Sequence, residues 1–160
     1  MHQLEGWFES DSARSAFNFA VALGEADEAD ALAPTVASWL EGGRCRAVVT
    51  GYLRGVNSRH GTLPVDWGQR LEQAVKDHSE YAAHVTANSD LSQSGFQRIM
   101  RLVESGALQP SLLKVFTSPN WEPHIGLREQ LQLFELLLRF QDPHIPRVAD
   151  SISLNFADRR

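Results

Sequence analysis

The chain has 160 residues, of which 42% are hydrophobic and 22% charged, and a formal net charge of −5. That length suffices for one domain burying roughly 70% of its unfolded surface without metal or disulfide staples, and the lone Cys45 excludes an internal disulfide, which fits a reducing compartment. No run approaches the roughly 18 apolar residues of a membrane span, and residues 1–25 lack the basic start and apolar core of a signal peptide, so we expect a single α-helical domain over 1–160, cytoplasmic, with no membrane partner.

Residues 1–10 show no period and read as a lead-in that docks Trp7 and Phe8 on the first helix. Asp11 or Ser12 can cap that helix, which buries Ala13, Phe17, Ala20 and Val21 and stops at Gly24. Glu25, Asp27, Glu28 and Asp30 follow as an acidic connection that sets negative charge at the next helix's positive end. They lack the alternation of carboxylate and glycine that a calcium loop needs. The second helix, 30–41, tolerates Pro34 in its first turn and buries Leu32, Val36, Trp39 and Leu40 before Gly42 and Gly43 end it.

The third helix, 44–58, sets Cys45, Val48, Val49, Tyr52 and Val56 on one face. Ala47, Gly51 and Gly55 recur every four residues beside that face. Glycine inside a helix costs about 1 kcal/mol relative to alanine, so this spacing predicts another helix backbone packed unusually close. Leu63 and Pro64 connect to a fourth helix, 67–78, capped by Asp66 with Leu71, Ala74 and Val75 inward. Residues 81–87 read as a short extra turn or helix and 88–94 as a polar turn. Phe96, Ile99, Met100 and Val103 then give an amphipathic stripe over 95–105, closed by Gly106.

Pro110 starts a short helix through Phe116, and 118–123 form a proline-bounded loop that carries Trp121. Residues 125–141 are the most apolar segment. At about 100° per residue Leu127, Leu131, Phe134 and Leu138 fall in one narrow stripe, which Leu133, Leu136, Leu137 and Phe140 widen to roughly 220°, leaving Arg128, Gln132, Glu135 and Arg139 as a polar strip. The prediction is a helix covered on several sides, the spine of the C-terminal half. A last helix over 147–156 rests on Val148, Ile152 and Phe156.

No useful stretch alternates with period two, so the fold class is all-α, an array of stacked antiparallel helical hairpins, with a closed multi-helix bundle as the alternative. Two short segments, 39–43 and 102–106, share the form apolar pair, Glu, small residue, Gly, a spacing compatible with helical-hairpin repeats.

No Gly-rich phosphate loop, Gly-x-Ser-x-Gly elbow or paired-cysteine zinc spacing occurs. The six histidines do not converge: His78 and His84 lie on opposite faces of a helix, and His124 and His144 flank prolines. No metal or cofactor is expected. Charge is segregated, with eight acids and one base over 1–42 and four arginines, Arg44, Arg46, Arg54 and Arg59, without an acid over 43–60. Those arginines are candidate binding residues for an anion or nucleic acid, although they make no single helical stripe and pairing with the preceding acidic loop accounts for them as well. Trp121 is the tryptophan expected to be exposed, as a contact residue for a partner.

Arg54 and His60, in RGVNSRH over 54–60, resemble the Arg-x4-6-His signature of HEPN ribonucleases, which implies RNA cleavage by those two residues. Gly55 departs from the polar residue that active members tend to carry after the arginine. The stretches GYLRGVNSRHGTLPVDW, 51–67, and FQRIMRLVESGALQPSLLKVF, 96–116, resemble the HEAT-like helical-repeat regions of large multidomain bacterial proteins. That resemblance implies a non-catalytic protein-interaction or scaffold module within a larger bacterial protein or complex, whose partner is another protein or its own neighbouring domains, with homo-oligomers as one form. The rival expectation is an RNA-binding or HEPN-like ribonuclease bundle.

Overall fold

The computed structural model describes residues 13–118, 120–121 and 124–140; the lead-in with Trp7 and Phe8, the cap at Asp11 or Ser12 and the last helix over 147–156 lie outside the described residues. The described residues form seven α-helices and one 3-10 helix with no strand. In order these are α1 (Ala13–Ala26), α2 (Ala33–Glu41), α3 (Arg46–His60), α4 (Val65–Asp77), α5 (Ser79–Ser89) and α6 (Gln93–Glu104), then the 3-10 helix Pro110–Thr117 and α7 (Leu127–Leu138). The protein is all-α.

The most extensive contact between elements is α1 against α3. A Cβ placed on Gly51 would strike the carbonyl oxygen of Phe17, and one on Gly55 would strike that of Val21 and come within 2.8 Å of the Glu25 nitrogen. The glycines at four-residue spacing are therefore a groove for a helix backbone. Gly24 answers from the other side, since a Cβ there would strike the Tyr52 carbonyl oxygen. This corrects the expectation that Gly24 ends α1: the helix runs through it to Ala26, because Gly24 is selected for close approach rather than for a left-handed turn.

The acidic connection after α1 is tied down by hydrogen bonds. Asp27 Oδ1 accepts from the Ala31 amide at 2.8 Å, and its Oδ2 accepts from the Leu32 amide and the Tyr52 hydroxyl, each at 2.8 Å. The helix α2 consequently starts at Ala33, later than predicted, and Leu32 sits outside it, exposed rather than buried.

Two apolar cores lie side by side. One is built by α1 to α4 with Ala82 and Val85 of α5; the other joins Ala83 and Ala87 of α5 to α6, the 3-10 helix, Trp121 and α7. The helix between the cores is α5, whose Ala82, Ala83, Val85, Thr86, Ala87 and Ser89 are all buried. This corrects two expectations together. Residues 81–87, expected as a short extra turn or helix, are helical but belong to the central helix, and among the described residues the helix covered on several sides is α5 rather than 125–140.

In α7 only Leu133, Leu136 and Leu137 are buried, while Leu127 is 72%, Leu131 55% and Leu138 85% exposed. Among the described residues the helix has one neighbouring core and one open apolar face. Its first turn is fixed by Glu129 Oε2, which accepts from the Gly126 amide at 3.1 Å.

Candidate functional site

The four arginines of 43–60 point in different directions. Arg59 turns back to the acidic connection, pairing with Asp30 Oδ1 at 2.8 Å and donating to the Asp27 carbonyl oxygen. Arg54 runs to the far side, donating to the Asn88 carbonyl at 3.2 Å and to Asn120 Oδ1 at 3.4 Å. Arg44 and Arg46 are exposed near α5, where the Arg44 carbonyl accepts from the Tyr81 hydroxyl at 2.7 Å. No common face gathers them.

Nor does the structure bring Arg54 and His60 together. His60 Nε2 accepts from Arg59 Nε at 3.2 Å, at the exposed end of α3, while the Arg54 guanidinium is committed to Asn88 and Asn120.

What Arg54 does locally is cap α5. The last carbonyls of a helix have no partner within it. At α5 three of them are answered from elsewhere in the chain: Ala87 by Trp121 Nε1 at 2.9 Å, Asn88 by Arg54, and Ser89 by Asn57 Nδ2 at 2.9 Å. A guanidinium there also meets the negative end of the helix dipole.

Trp121 corrects the sequence expectation most directly. It is 0% exposed, packed edge-on against Phe116 with ring centroids 4.9 Å apart, and its indole N–H is satisfied by α5. A proline-bounded loop suggested exposure, but a large apolar ring gains more by filling the second core, and the buried Ala87 carbonyl removes the penalty of desolvating its N–H.

Sequence reading missed a charged cluster between α4 and α6. Arg98, 2% exposed, pairs with the buried Asp90 at 2.9 Å through Nη1 and with Glu72 Oε1 at 3.0 Å through Nε. It also donates to Thr86 Oγ1 and to the Gly68 carbonyl, both at 3.3 Å. Asp90 in turn accepts from the Ser92 hydroxyl at 2.5 Å, and Ser92 caps α6 by accepting from the Gly95 amide at 3.2 Å. Among the described residues no buried side-chain nitrogen or oxygen lacks a partner. Arg98 stands opposite the stripe of Phe96, Ile99, Met100 and Val103, so hydropathy alone places it in water. The signal that could have found it is the second buried face of α6, Gly95 and Leu102, which bracket Arg98 by about one turn on either side.

The cluster opens outward. Glu72 Oε1 accepts a second hydrogen bond from Arg101 Nη2 at 2.7 Å. Glu72 lines two cavities, one of about 400 Å³ reaching Arg98 and Ser92 and one of about 520 Å³ reaching Arg101, Arg128 and Gln132.

The other exposed feature is the outer face of α7. Leu127, Leu131 and Leu138 fall within about 40° of arc, with half-buried Phe134 at its edge. Scattered exposed leucines are ordinary; three in one line on one helix form a surface that association would cover.

Among the described residues no group of three or more His, Cys, Asp or Glu could hold a metal ion, and no helix is long and apolar enough to cross a membrane. Comparison with family models, with curated proteins and with solved structures gives no match for this chain.

Proposed function

We propose that this chain is a non-catalytic protein-interaction module that docks a helix of a partner protein, or of a neighbouring domain, against α7. The observation that carries the reading is the exposed line Leu127, Leu131 and Leu138. Residues at i, i+4 and i+11 are the pattern by which one amphipathic helix receives another. Arg128, Glu135 and Arg139 flank the line with both signs of charge, which favours a partner helix of mixed charge over a polyanion. The two cores laid either side of α5 support a serial, hairpin-by-hairpin build, in which a helix such as α7 keeps one face for its neighbour. A scaffold within a larger helical-repeat protein of the HEAT-like kind, in a bacterial cytoplasm, is the setting that fits such a face.

Sedimentation equilibrium on the full chain tests it. The wild-type protein should self-associate with rising concentration, since an unoccupied apolar face takes a second copy, and Leu127→Glu with Leu138→Glu should return it to monomer without lowering its melting temperature. A wild-type protein that stays monomeric at every concentration, or a double variant that associates as strongly, overturns the reading.

A further inference from the structure

We propose that the cleft between α4 and α6 binds a small multivalent oxyanion, a polycarboxylate or a phosphate, at the position that the Glu72 carboxylate takes between two guanidiniums. Three guanidiniums line the two cavities that share Glu72 and Ser94, Arg98 in one and Arg101 with Arg128 in the other. Arg98 is held rigidly at the floor of the cleft by Asp90, Arg101 stands at its mouth, and Arg128 comes from the first turn of α7 with no ion pair to a described residue. Set against Asp90 and Glu72, these three arginines leave one positive charge over, in a chain of formal charge −5. One carboxylate oxygen, Glu72 Oε1, takes hydrogen bonds from both Arg98, at 3.0 Å, and Arg101, at 2.7 Å. That geometry is the one a carboxylate or phosphate oxygen adopts between two guanidiniums. Unlike Asp90, Glu72 is not locked in: its side chain is 45% exposed and it sits where the two cavities meet. Swinging it out costs two hydrogen bonds that an incoming oxyanion restores, while Arg128 and the amide of Gln132 remain for the ligand's other oxygens. Arg98 keeps Asp90 throughout, so the buried charge is never left unpaired.

The test is calorimetric titration of the full chain with inorganic phosphate and, separately, with citrate, against sodium chloride at matched ionic strength. Saturable binding of either anion is expected; which of the two binds tells phosphate from polycarboxylate. Glu72→Gln removes the competing charge and should tighten binding about tenfold, whereas Arg101→Gln should weaken it about tenfold, the worth of one charge-assisted hydrogen bond. Arg128→Gln, at an exposed position, gives the same weakening without touching the Arg98 cluster. Lys76→Gln, an exposed cation of α4 outside the cleft, should change nothing. The proposal is overturned if neither anion binds beyond the chloride control, if Glu72→Gln fails to tighten binding, or if Lys76→Gln weakens it as much as Arg101→Gln.

Discussion

The indole Nε1 of Trp121 lies 2.9 Å from the carbonyl oxygen of Ala87 and donates to it, so a loop distant in sequence closes the end of the central helix. The bond joins the second core to the helix shared by both. Trp121→Phe keeps most of the ring but leaves a buried carbonyl unpaired, which should cost about 1–3 kcal/mol. Trp121→Ala also opens a cavity beside Phe116 and should cost about 3–5 kcal/mol. Urea unfolding of the two variants separates the hydrogen bond from the packing; a Trp121→Phe protein as stable as wild type would show that the bond contributes nothing.

Gly55 and Gly68 carry opposite predictions for the same substitution. In an exposed helix interior alanine is favoured over glycine by about 1 kcal/mol. A Cβ at Gly68 meets nothing closer than an Arg98 nitrogen at 4.0 Å, so Gly68→Ala should raise stability by about 0.5–1 kcal/mol. A Cβ at Gly55 would strike the Val21 carbonyl oxygen and lie 2.9 Å from the Gly24 Cα, both backbone atoms that move only if α1 shifts. Gly55→Ala should therefore destabilise by about 1–3 kcal/mol. Thermal melts of the pair moving in the same direction would contradict the close packing of α1 on α3.

Leu131 and Leu137 separate the two faces of α7. Leu131 is 55% exposed and Leu137 2%. Leu131→Asp puts its charge in water and should leave the unfolding midpoint within about 0.5 kcal/mol of wild type. Leu137→Asp buries an unpaired carboxylate in the second core and should unfold it. Circular dichroism melts decide: a Leu131→Asp protein that loses the C-terminal half would mean its outer face is covered in the intact chain.

The leucines also show what hydropathy could and could not convey. Period 3.6 placed most of the helices, and the Ala47, Gly51, Gly55 spacing announced the close approach of a backbone before α1 was in view. Apolar width did not convey coverage. The segment 125–140 is rich in leucine yet among the described residues has neighbours on one side, whereas α5, with Ala82, Ala83, Ala87 and Ser89, is buried over most of its circumference, leaving Glu80 and His84 exposed, because small side chains let helices close in from both sides. A run of alanines interrupted by Thr and Asn reads by hydropathy as a short extra turn or helix, and only the packing around it reveals the helix as central. The Arg98 cluster was hidden for a different reason. Its partners Glu72, Thr86 and Asp90 come from three elements, and no periodicity within one helix records a contact made across three.

Asp27 sets an acid limit on the N-terminal core. Burial acts to raise its carboxyl pKa, but hydrogen bonds from the Leu32 amide, the Tyr52 hydroxyl and the Ala31 amide, with the charge of Arg59, hold it below the ordinary 3.8. A carboxyl lowered by folding contributes stability that is complete above its unfolded pKa and is lost as pH falls through the folded value. The contribution should thus be whole above about pH 4 and disappear below it. In Asp27→Asn the stability at neutral pH falls and the acid limb of the curve becomes shallower. Urea midpoints measured between about pH 5 and pH 2 check this; parallel curves for wild type and variant would remove Asp27 from the acid response. Tyr52→Phe, which deletes one donor to Asp27, should move the limb part of the way in the same direction.

Arg98 and Asp90 form a buried ion pair at 2.9 Å, and such pairs are asymmetric in their response to mutation. Removing one partner strands the other charge, at a cost of about 3–5 kcal/mol. Asp90→Asn leaves Arg98 with only the half-exposed Glu72 as counter-charge and should lie near the lower end of that range. Arg98→Met leaves the Asp90 carboxylate with the Ser92 hydroxyl and no cation, and should lie near the upper end. If the pair exists to neutralise itself, the double variant Arg98→Met with Asp90→Asn should be more stable than Arg98→Met alone, with a coupling of about 1–3 kcal/mol in a double-mutant cycle. If the two losses simply add, Arg98 is stabilised chiefly by Glu72, Thr86 and the Gly68 carbonyl. The N-cap at Ser92 supplies an independent readout, because Asp90 positions that hydroxyl at 2.5 Å. Amide exchange at Gly95 should quicken in Asp90→Asn, and remain slow in a Glu72→Gln protein whose cap is untouched.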